Sequence, residues 1–145
     1  MPNSYAIPYS ESTGPPTSAF PNGRLYRRPF LSIALINAQK RLSCRAIVDS
    51  GADYCIFPRS FMQPLGIDPL DSPLEGTTGL GSTNVPTHFA NVTIDLGGTI
   101  QIPVYAGFTP GMDSLGFGLL GQAGFFEAFR ITFDYANKLF HLDTR

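Results

Sequence analysis

The 145-residue sequence predicts an all-β fold, mainly strands with one or two short helices, in a single domain. Apolar residues alternate with polar ones over several short runs, which is the pattern of half-buried strands. Clusters rich in Gly, Pro and Asn separate these runs and mark turns. The length suits one domain that buries its own core without disulfides or metals.

The charge balance excludes several classes of partner. Ten Lys and Arg residues stand against 11 Asp and Glu residues, so the sequence has no overall field that would attract nucleic acid or an anionic membrane. Its apolar stretches are broken well short of the roughly 20 residues that a membrane-spanning helix needs. No cationic start precedes an apolar segment, as in a secretory signal. We therefore expect a cytoplasmic protein that binds neither nucleic acid nor membrane.

The N-terminal residues 1–24 differ in composition from the rest. They hold five of the 13 prolines, and Glu11 is their only charged residue before Arg24. This composition disfavours both a helix and a central strand. The sequence therefore predicts an extended arm over residues 1–24, followed by the domain at 25–145.

The first predicted hairpin carries an acid at its end. Residues 30–36 alternate and predict a strand, and residues 42–48 form the return strand, which ends at Asp49. After the turn, residues 54–57 are β-prone, and Pro58 opens a short helix.

Three further segments complete the predicted strands. Residues 68–87 are rich in Gly, Ser, Thr and Pro, and we expect a hairpin whose tip holds Gly79, Leu80, Gly81 and Ser82. Glycines at a tip allow close backbone approach to a ligand, although an inert surface loop explains them equally well. A second hairpin turns at Gly97–Gly98 between the runs 90–96 and 100–104. A possible short helix at 122–126 precedes closing strands at 129–133 and 139–142.

The stretch Asp49-Ser50-Gly51 is the strongest functional signal. An apolar strand delivers a carboxylate into a glycine turn, a placement that suits chemistry, although an ordinary Asp turn uses the same residues. A weak echo follows at Leu119-Leu120-Gly121-Gln122-Ala123, where an apolar pair again enters a turn of small residues but without an acid. Two related half-motifs, one of which has an acid, predict a duplicated β scaffold.

Other motifs are weaker. The run 116–121 fits G-x-G-x-x-G, but it lacks the long helix and βαβ unit that a dinucleotide site needs. No G-x-S-x-G occurs, and the two His residues lack metal-ligand spacing. Cys44 and Cys55 are expected to be free thiols, although a bridge is conceivable.

A single acid is a poor catalyst for amide hydrolysis, because that reaction needs both a base for water and an acid for the leaving group. One acid in each chain therefore implies two chains, whose paired carboxylates would share one proton.

These residues carry a family resemblance. The stretch 46–54 with Ile56-Phe57-Pro58, together with 118–126 and 129–135, resembles the retropepsin family of aspartic proteases in order and spacing. The resemblance implies a closed acid-protease barrel, active as a symmetric homodimer on peptide or protein substrates, in which Asp49 from each protomer activates one water and no cofactor is needed.

The resemblance also assigns roles around the acid. Ser50 and Gly51 would support the two carboxylates, Ala52 and Asp53 would line the substrate cleft, and the tip at Gly79, Leu80, Gly81 and Ser82 would close over the peptide. The competing interpretation is a retropepsin-like dimerisation or peptide-binding module that cleaves little or nothing.

Overall fold

A computed structural model describes residues 3–78 and 84–145 of the chain. The chain divides into two compact units, one formed by residues 1–30 and 129–145 and the other by residues 31–128. The strands are β1 (Ser4–Pro8), β2 (Ser10–Gly14), β3 (Arg24–Arg28), β4 (Phe30–Asn37), β5 (Lys40–Val48), β6 (Ile56–Pro58), β7 (Leu74–Thr78), β8 (Asn84–Leu96), β9 (Ile100–Thr109), β10 (Gly118–Leu120), β11 (Phe129–Asp134) and β12 (Leu139–Thr144). Helical structure is limited to α1 (Phe125–Ala128) and to 3₁₀ turns at Arg59–Phe61, Pro69–Asp71 and Pro110–Met112.

The smaller unit joins the two ends of the chain. Its three-stranded antiparallel sheet has the order β1-β12-β11, and Ser4 lies opposite Asp143 at one end of the β1–β12 pairing. Strands β2 and β3 form a separate antiparallel hairpin. Residues predicted as an extended arm form β1 and β2, each at the edge of its sheet. Of the described prolines in this region only Pro8 lies in a strand, at its last residue, which an edge strand tolerates.

The larger unit contains a seven-stranded sheet with the order β4-β5-β10-β6-β9-β8-β7, and β4 also pairs with β8. Strands β5 and β10 run parallel, as do β6 and β9, and the long β8–β9 hairpin is antiparallel. Both glycines of its turn have positive φ, 61° at Gly97 and 78° at Gly98, which explains the Gly-Gly pair.

The core of the larger unit consists of apolar side chains from these strands, from α1 and from the segment that follows the first 3₁₀ turn. Its largest fully buried members are Phe57, Phe108, Phe125, Leu35, Met62, Leu65, Ile94 and Leu120. Leu120 belongs to β10 and Phe57 to β6, so the strands on either side of the predicted catalytic turn are anchored in this core.

The predicted β-rich fold is confirmed, and two helix predictions need adjustment. Proline at position 58 does precede a helical segment, but that segment is a single 3₁₀ turn. The helix expected at 122–126 begins only at Phe125, because Gly124 has a φ of 94°, which a right-handed helix does not accommodate.

Candidate active site

The predicted catalytic turn follows β5 directly. Val48 is buried at the end of the strand, and the next residue, Asp49, is half-buried. The Gly51 N–H donates to Asp49 Oδ1 at 2.9 Å, and the Ala52 N–H donates to the Asp49 carbonyl at 3.3 Å. The Asp therefore does form a local turn, but it uses only one carboxylate oxygen to do so. Neither ion pair of the described chain involves Asp49, so no cation neutralises it.

The second half-motif lies beside the first. Strand β10 pairs in parallel with β5, with Leu119 opposite Ile47 and Leu120 opposite Val48. The Asp49 N–H donates to the Leu120 carbonyl at 3.0 Å, which extends the pairing to the acid itself. Gly121 therefore takes, in the second motif, the place that Asp49 has in the first.

Three hydrogen bonds continue this pairing through the turn. The Gln122 N–H donates to the Ala52 carbonyl at 2.8 Å, and the Ala123 N–H donates to the Asp53 carbonyl at 2.8 Å. The Gln122 side chain donates from Nε2 to the Ser50 carbonyl at 2.8 Å. The second motif thus holds the backbone of the acid-bearing turn at three points, the carbonyls of Ser50, Ala52 and Asp53.

Gly121 is needed because the segment between β5 and β6 passes close to it. A Cβ built at this position would lie 2.6 Å from the Ala52 carbonyl oxygen and would also meet the carbonyl oxygen of Tyr54. Both obstacles are backbone atoms that cannot rotate away. A side chain at position 121 would therefore push the acid-bearing turn out of place.

Both cysteines near the turn are free thiols, as the sequence favoured. Cys55 is fully buried, and its Sγ–H points to the Ala123 carbonyl at 3.9 Å. Burial raises the pKa of Cys55, and burial likewise raises the pKa of Cys44 to about 11. Both thiols are therefore protonated near neutral pH and act as small apolar groups.

A hairpin of β7 and β8 leads toward the predicted tip. Thr77 lies opposite Val85, and the hydroxyls of Thr77 and Thr87 are 2.7 Å apart, with Thr87 fully buried. The predicted tip, Gly79, Leu80, Gly81 and Ser82, lies outside the described residues. What the structure describes is the stem of the hairpin, joined by hydroxyl hydrogen bonds.

The remaining predicted site residues form one turn: Asp49, Ser50, Gly51, Ala52 and Asp53. Ser50 and Asp53 are exposed, whereas Ala52 is buried, with 9% exposure. Ala52 thus contributes its carbonyl to the second motif and presents little side-chain surface.

Sequence reasoning missed two neighbours of this turn. Gln122 bonds the Ser50 carbonyl, and the echo between the half-motifs was the signal that pointed to its position. The Tyr54 ring meets the Phe89 ring edge-on, with centroids 5.0 Å apart. Burial, followed by the charges of Glu75 and Asp53, raises the pKa of the Tyr54 phenol. No sequence pattern indicated this aromatic contact.

The described ranges contain neither a metal site nor a helix that could span a membrane. Between residues 3 and 78 and from 84 onward, no cluster of three or more His, Cys, Asp or Glu side chains has the arrangement of a metal site. Over the same ranges, no helix has the length and apolar character needed to cross a membrane.

Comparisons with known proteins agree with this geometry. The whole chain has the fold of a retropepsin-like aspartic protease from Rickettsia conorii: the TM-score is 0.58 at 16% identity, covering 99% of this chain and 93% of that one. A family model described as aspartyl protease matches residues 34–123, which include both half-motifs. The chain therefore belongs to the aspartyl protease family, with a retropepsin-like fold. No curated protein sequence matches it.

Proposed function

We propose that the protein is an aspartic endopeptidase that acts as a symmetric homodimer, with one Asp49 carboxylate from each protomer in a shared site. The observation that carries the proposal is the pairing of β5 with β10, in which Asp49 has only Gly121 as its counterpart. One chain thus offers a single carboxylate at this position, and hydrolysis of an amide needs two proton-transfer roles. A second copy supplies the missing group.

The proposed mechanism follows from the proximity of two carboxylates. Two such groups a few Å apart share one proton, because both cannot readily be ionised. The ionised carboxylate removes a proton from a water, whose oxygen attacks the peptide carbonyl. The protonated carboxylate donates to the carbonyl oxygen, which gives a tetrahedral intermediate with two hydroxyls. The remaining carboxyl proton then passes to the amide nitrogen, one hydroxyl returns a proton to the dyad, and the C–N bond breaks to release the amine and the carboxylic acid. The dyad returns to its singly protonated state, and no cofactor takes part.

The residues around the acid have supporting roles in this proposal. Ser50 and Gly51 hold the carboxylate, and the Gly51 N–H already bonds Asp49 Oδ1. Asp53 contacts the peptide through its exposed carboxylate, and Ala52 lines the cleft chiefly with backbone. The tip residues Gly79, Leu80, Gly81 and Ser82 close over the substrate.

The proposal includes the bounds of the protease domain and the cellular location of its substrates. We propose residues 25–145 as the protease domain and residues 1–24 as an N-terminal arm whose strands β1 and β2 pair with β12 and β3. The pairing of β4 with β8 supports a closed barrel. The substrates are cytoplasmic peptides or proteins, bound in extended form.

The decisive experiment compares Asp49→Asn with the wild type on a mixed peptide library between about pH 4 and pH 7. We expect cleavage by the wild type and none by the variant, because an amide cannot exchange the proton. Asp71→Asn is the matched control, since Asp71 is an exposed carboxylate in a 3₁₀ turn away from the pairing. Equal amounts of product from wild type and Asp49→Asn would refute the proposed peptidase activity of Asp49. Peptide binding without cleavage would favour the binding module instead.

A second experiment tests the shared site. Sedimentation at micromolar concentration is expected to show a dimer, and specific activity is expected to fall on dilution as the dimer dissociates. Adding an excess of Asp49→Asn to the wild type should lower the activity of the wild-type chains, because most of them then form inactive heterodimers. A monomer whose specific activity does not change on dilution would rule out the two-chain dyad while leaving the aspartyl protease family intact.

A further inference from the structure

The β2–β3 hairpin of the smaller unit presents an arginine-rich face that the protease proposal does not use. Side chains alternate along a strand, so Arg24, Tyr26 and Arg28 of β3 share one face, and Leu25 and Arg27 share the other. Arg24 and Arg28 are exposed. We call the side chains of Arg24, Tyr26 and Arg28 the arginine face.

The arginine face is ordered by aromatic stacking. The Arg24 guanidinium carbon lies 5.0 Å from the centroid of the Tyr26 ring, and that of Arg28 lies 4.8 Å from the same centroid. Arg24 also lies 4.7 Å from the centroid of Phe20. A Cβ at Gly14 would come within 3.0 Å of the Tyr26 ring, so the bare backbone there leaves room for it. Stacking restrains both side chains while their N–H groups remain available.

No carboxylate of the described chain neutralises the arginine face. Glu11 is the acid of this hairpin, and it bonds Arg27 on the opposite face at 2.8 Å. The imbalance extends to the whole smaller unit, which has six Lys and Arg against three Asp and Glu, a net charge of +3. The larger unit has four against eight, a net charge of −4. The near-zero total of the chain thus hides two units of opposite charge.

The spacing of the guanidiniums favours a particular ligand. Both lie near one ring centroid, so their carbons are separated by no more than the two centroid distances combined, about 10 Å. Carboxylates on alternate residues of an extended peptide share a face and lie roughly 7 Å apart. Carboxylates at that spacing lie within this upper limit, so one extended peptide can present an acid to each guanidinium, in the planar geometry that pairs arginine with carboxylate.

Single-stranded nucleic acid fits the arginine face less well. Its recognition relies on bases stacking on free aromatic rings. The Tyr26 ring is already engaged by two guanidiniums, and Phe20 by one. The face therefore offers paired cations rather than an open stacking platform.

We propose that the arginine face is a docking site for an extended acidic peptide segment of a partner protein, with carboxylates at alternate positions. The site is independent of the Asp49 chemistry, so it holds or fails separately from the protease proposal. Binding is electrostatic and weakens as salt is raised, because the guanidiniums are exposed.

The test is fluorescence anisotropy of the full-length chain with a short labelled peptide that carries Glu at alternate positions, checked to be intact afterwards. A peptide with Gln in place of every Glu is the reference ligand. We expect the Glu peptide to bind and the Gln peptide not to bind. Arg24→Gln and Arg28→Gln should each weaken binding about 3- to 10-fold, since exposed charge-assisted contacts are modest. Tyr26→Phe keeps the stacking and should bind like the wild type.

Arg27→Gln is the matched control, because it removes the same charge from the same strand on the opposite face. We expect it to bind the Glu peptide within about 2-fold of wild type, with folding of all variants verified by circular dichroism. Equal weakening by Arg27→Gln and Arg28→Gln would refute the site in favour of diffuse charge attraction. Tighter binding of labelled oligo-dT than of the Glu peptide, lost in Arg24→Gln, would also overturn the assignment to a peptide.

Discussion

The two half-motifs of the larger unit have the same backbone form and different side chains. In the first, β5 ends at Asp49, and the turn continues through Ser50 and Gly51. In the second, β10 ends beside it, and the turn continues through Gly121 and Gln122. One motif presents an acid, and the other presents hydrogen bonds that hold the first.

The difference shows that two elements with the same backbone form can have different roles. Asp49 has a partner for only one of its carboxylate oxygens in the described chain, so its identity is not dictated by local packing. Gly121 has no room for any side chain, because backbone carbonyls surround it. On the proposed function, chemistry determines the residue at position 49, whereas space determines the residue at position 121. Substitutions in the two motifs should separate activity from stability.

The largest expected effect on stability is at Gly121. Gly121→Ala places a Cβ against the Ala52 and Tyr54 carbonyls, and we expect a loss of about 3 kcal/mol or more in the free energy of unfolding, measured with urea. Gly111→Ala is the control, since its Cβ would meet nothing closer than 3.8 Å. If both variants unfold at the same urea concentration, space does not determine the residue at 121.

A smaller effect is expected at Gln122. Gln122→Leu removes the hydrogen bond from Nε2 to the Ser50 carbonyl but keeps the backbone hydrogen bond to Ala52. The free energy of unfolding should therefore fall by about 0.5 to 1 kcal/mol. Because Ser50 adjoins the acid, kcat should fall about 10-fold with little change in KM. Gln101→Leu, the same change at an exposed position of β9, should leave both the free energy of unfolding and kcat unchanged. A change confined to KM would show that Gln122 contacts substrate rather than positioning the turn.

The smallest effect on stability is expected at Asp49 itself. Asn at this position keeps an oxygen that accepts the Gly51 N–H, so Asp49→Asn should change the free energy of unfolding by no more than about 0.5 kcal/mol. Its activity should nevertheless be lost. Urea unfolding of the variant beside the wild type measures the change in the free energy of unfolding. A large destabilisation would mean that the acid is structural and would erase the contrast with Gly121.

The sequence predicted features that depend on neighbours in the chain. Alternation over 90–96 and 100–104 around Gly97–Gly98 placed the β8–β9 hairpin, because strand faces and tight turns are local properties. The strand ending at Asp49 was predicted for the same reason. The family resemblance then identified a retropepsin-like fold that local patterns alone do not specify.

Features that depend on distant partners were not predicted. Strand β1 exists because it pairs with β12 at the other end of the chain, so its proline-rich composition looked like an arm. The contact of Gln122 with Ser50 depends on parallel pairing of β5 with β10, which no local pattern reveals. The stacking of Arg24 and Arg28 on Tyr26 likewise requires a folded hairpin.

The pairing of the two half-motifs also has a consequence for biosynthesis. Gln122 lies 72 residues after Ser50, so the acid-bearing turn acquires its supporting bonds only after the chain has been synthesised through Gln122. Contacts between distant segments form slowly because a long loop must close first. A nascent or truncated chain that ends before Leu120 has the acid but not the strand that holds it. The turn that bears Asp49 therefore stays without these supporting hydrogen bonds until β10 and Gln122 have been synthesised.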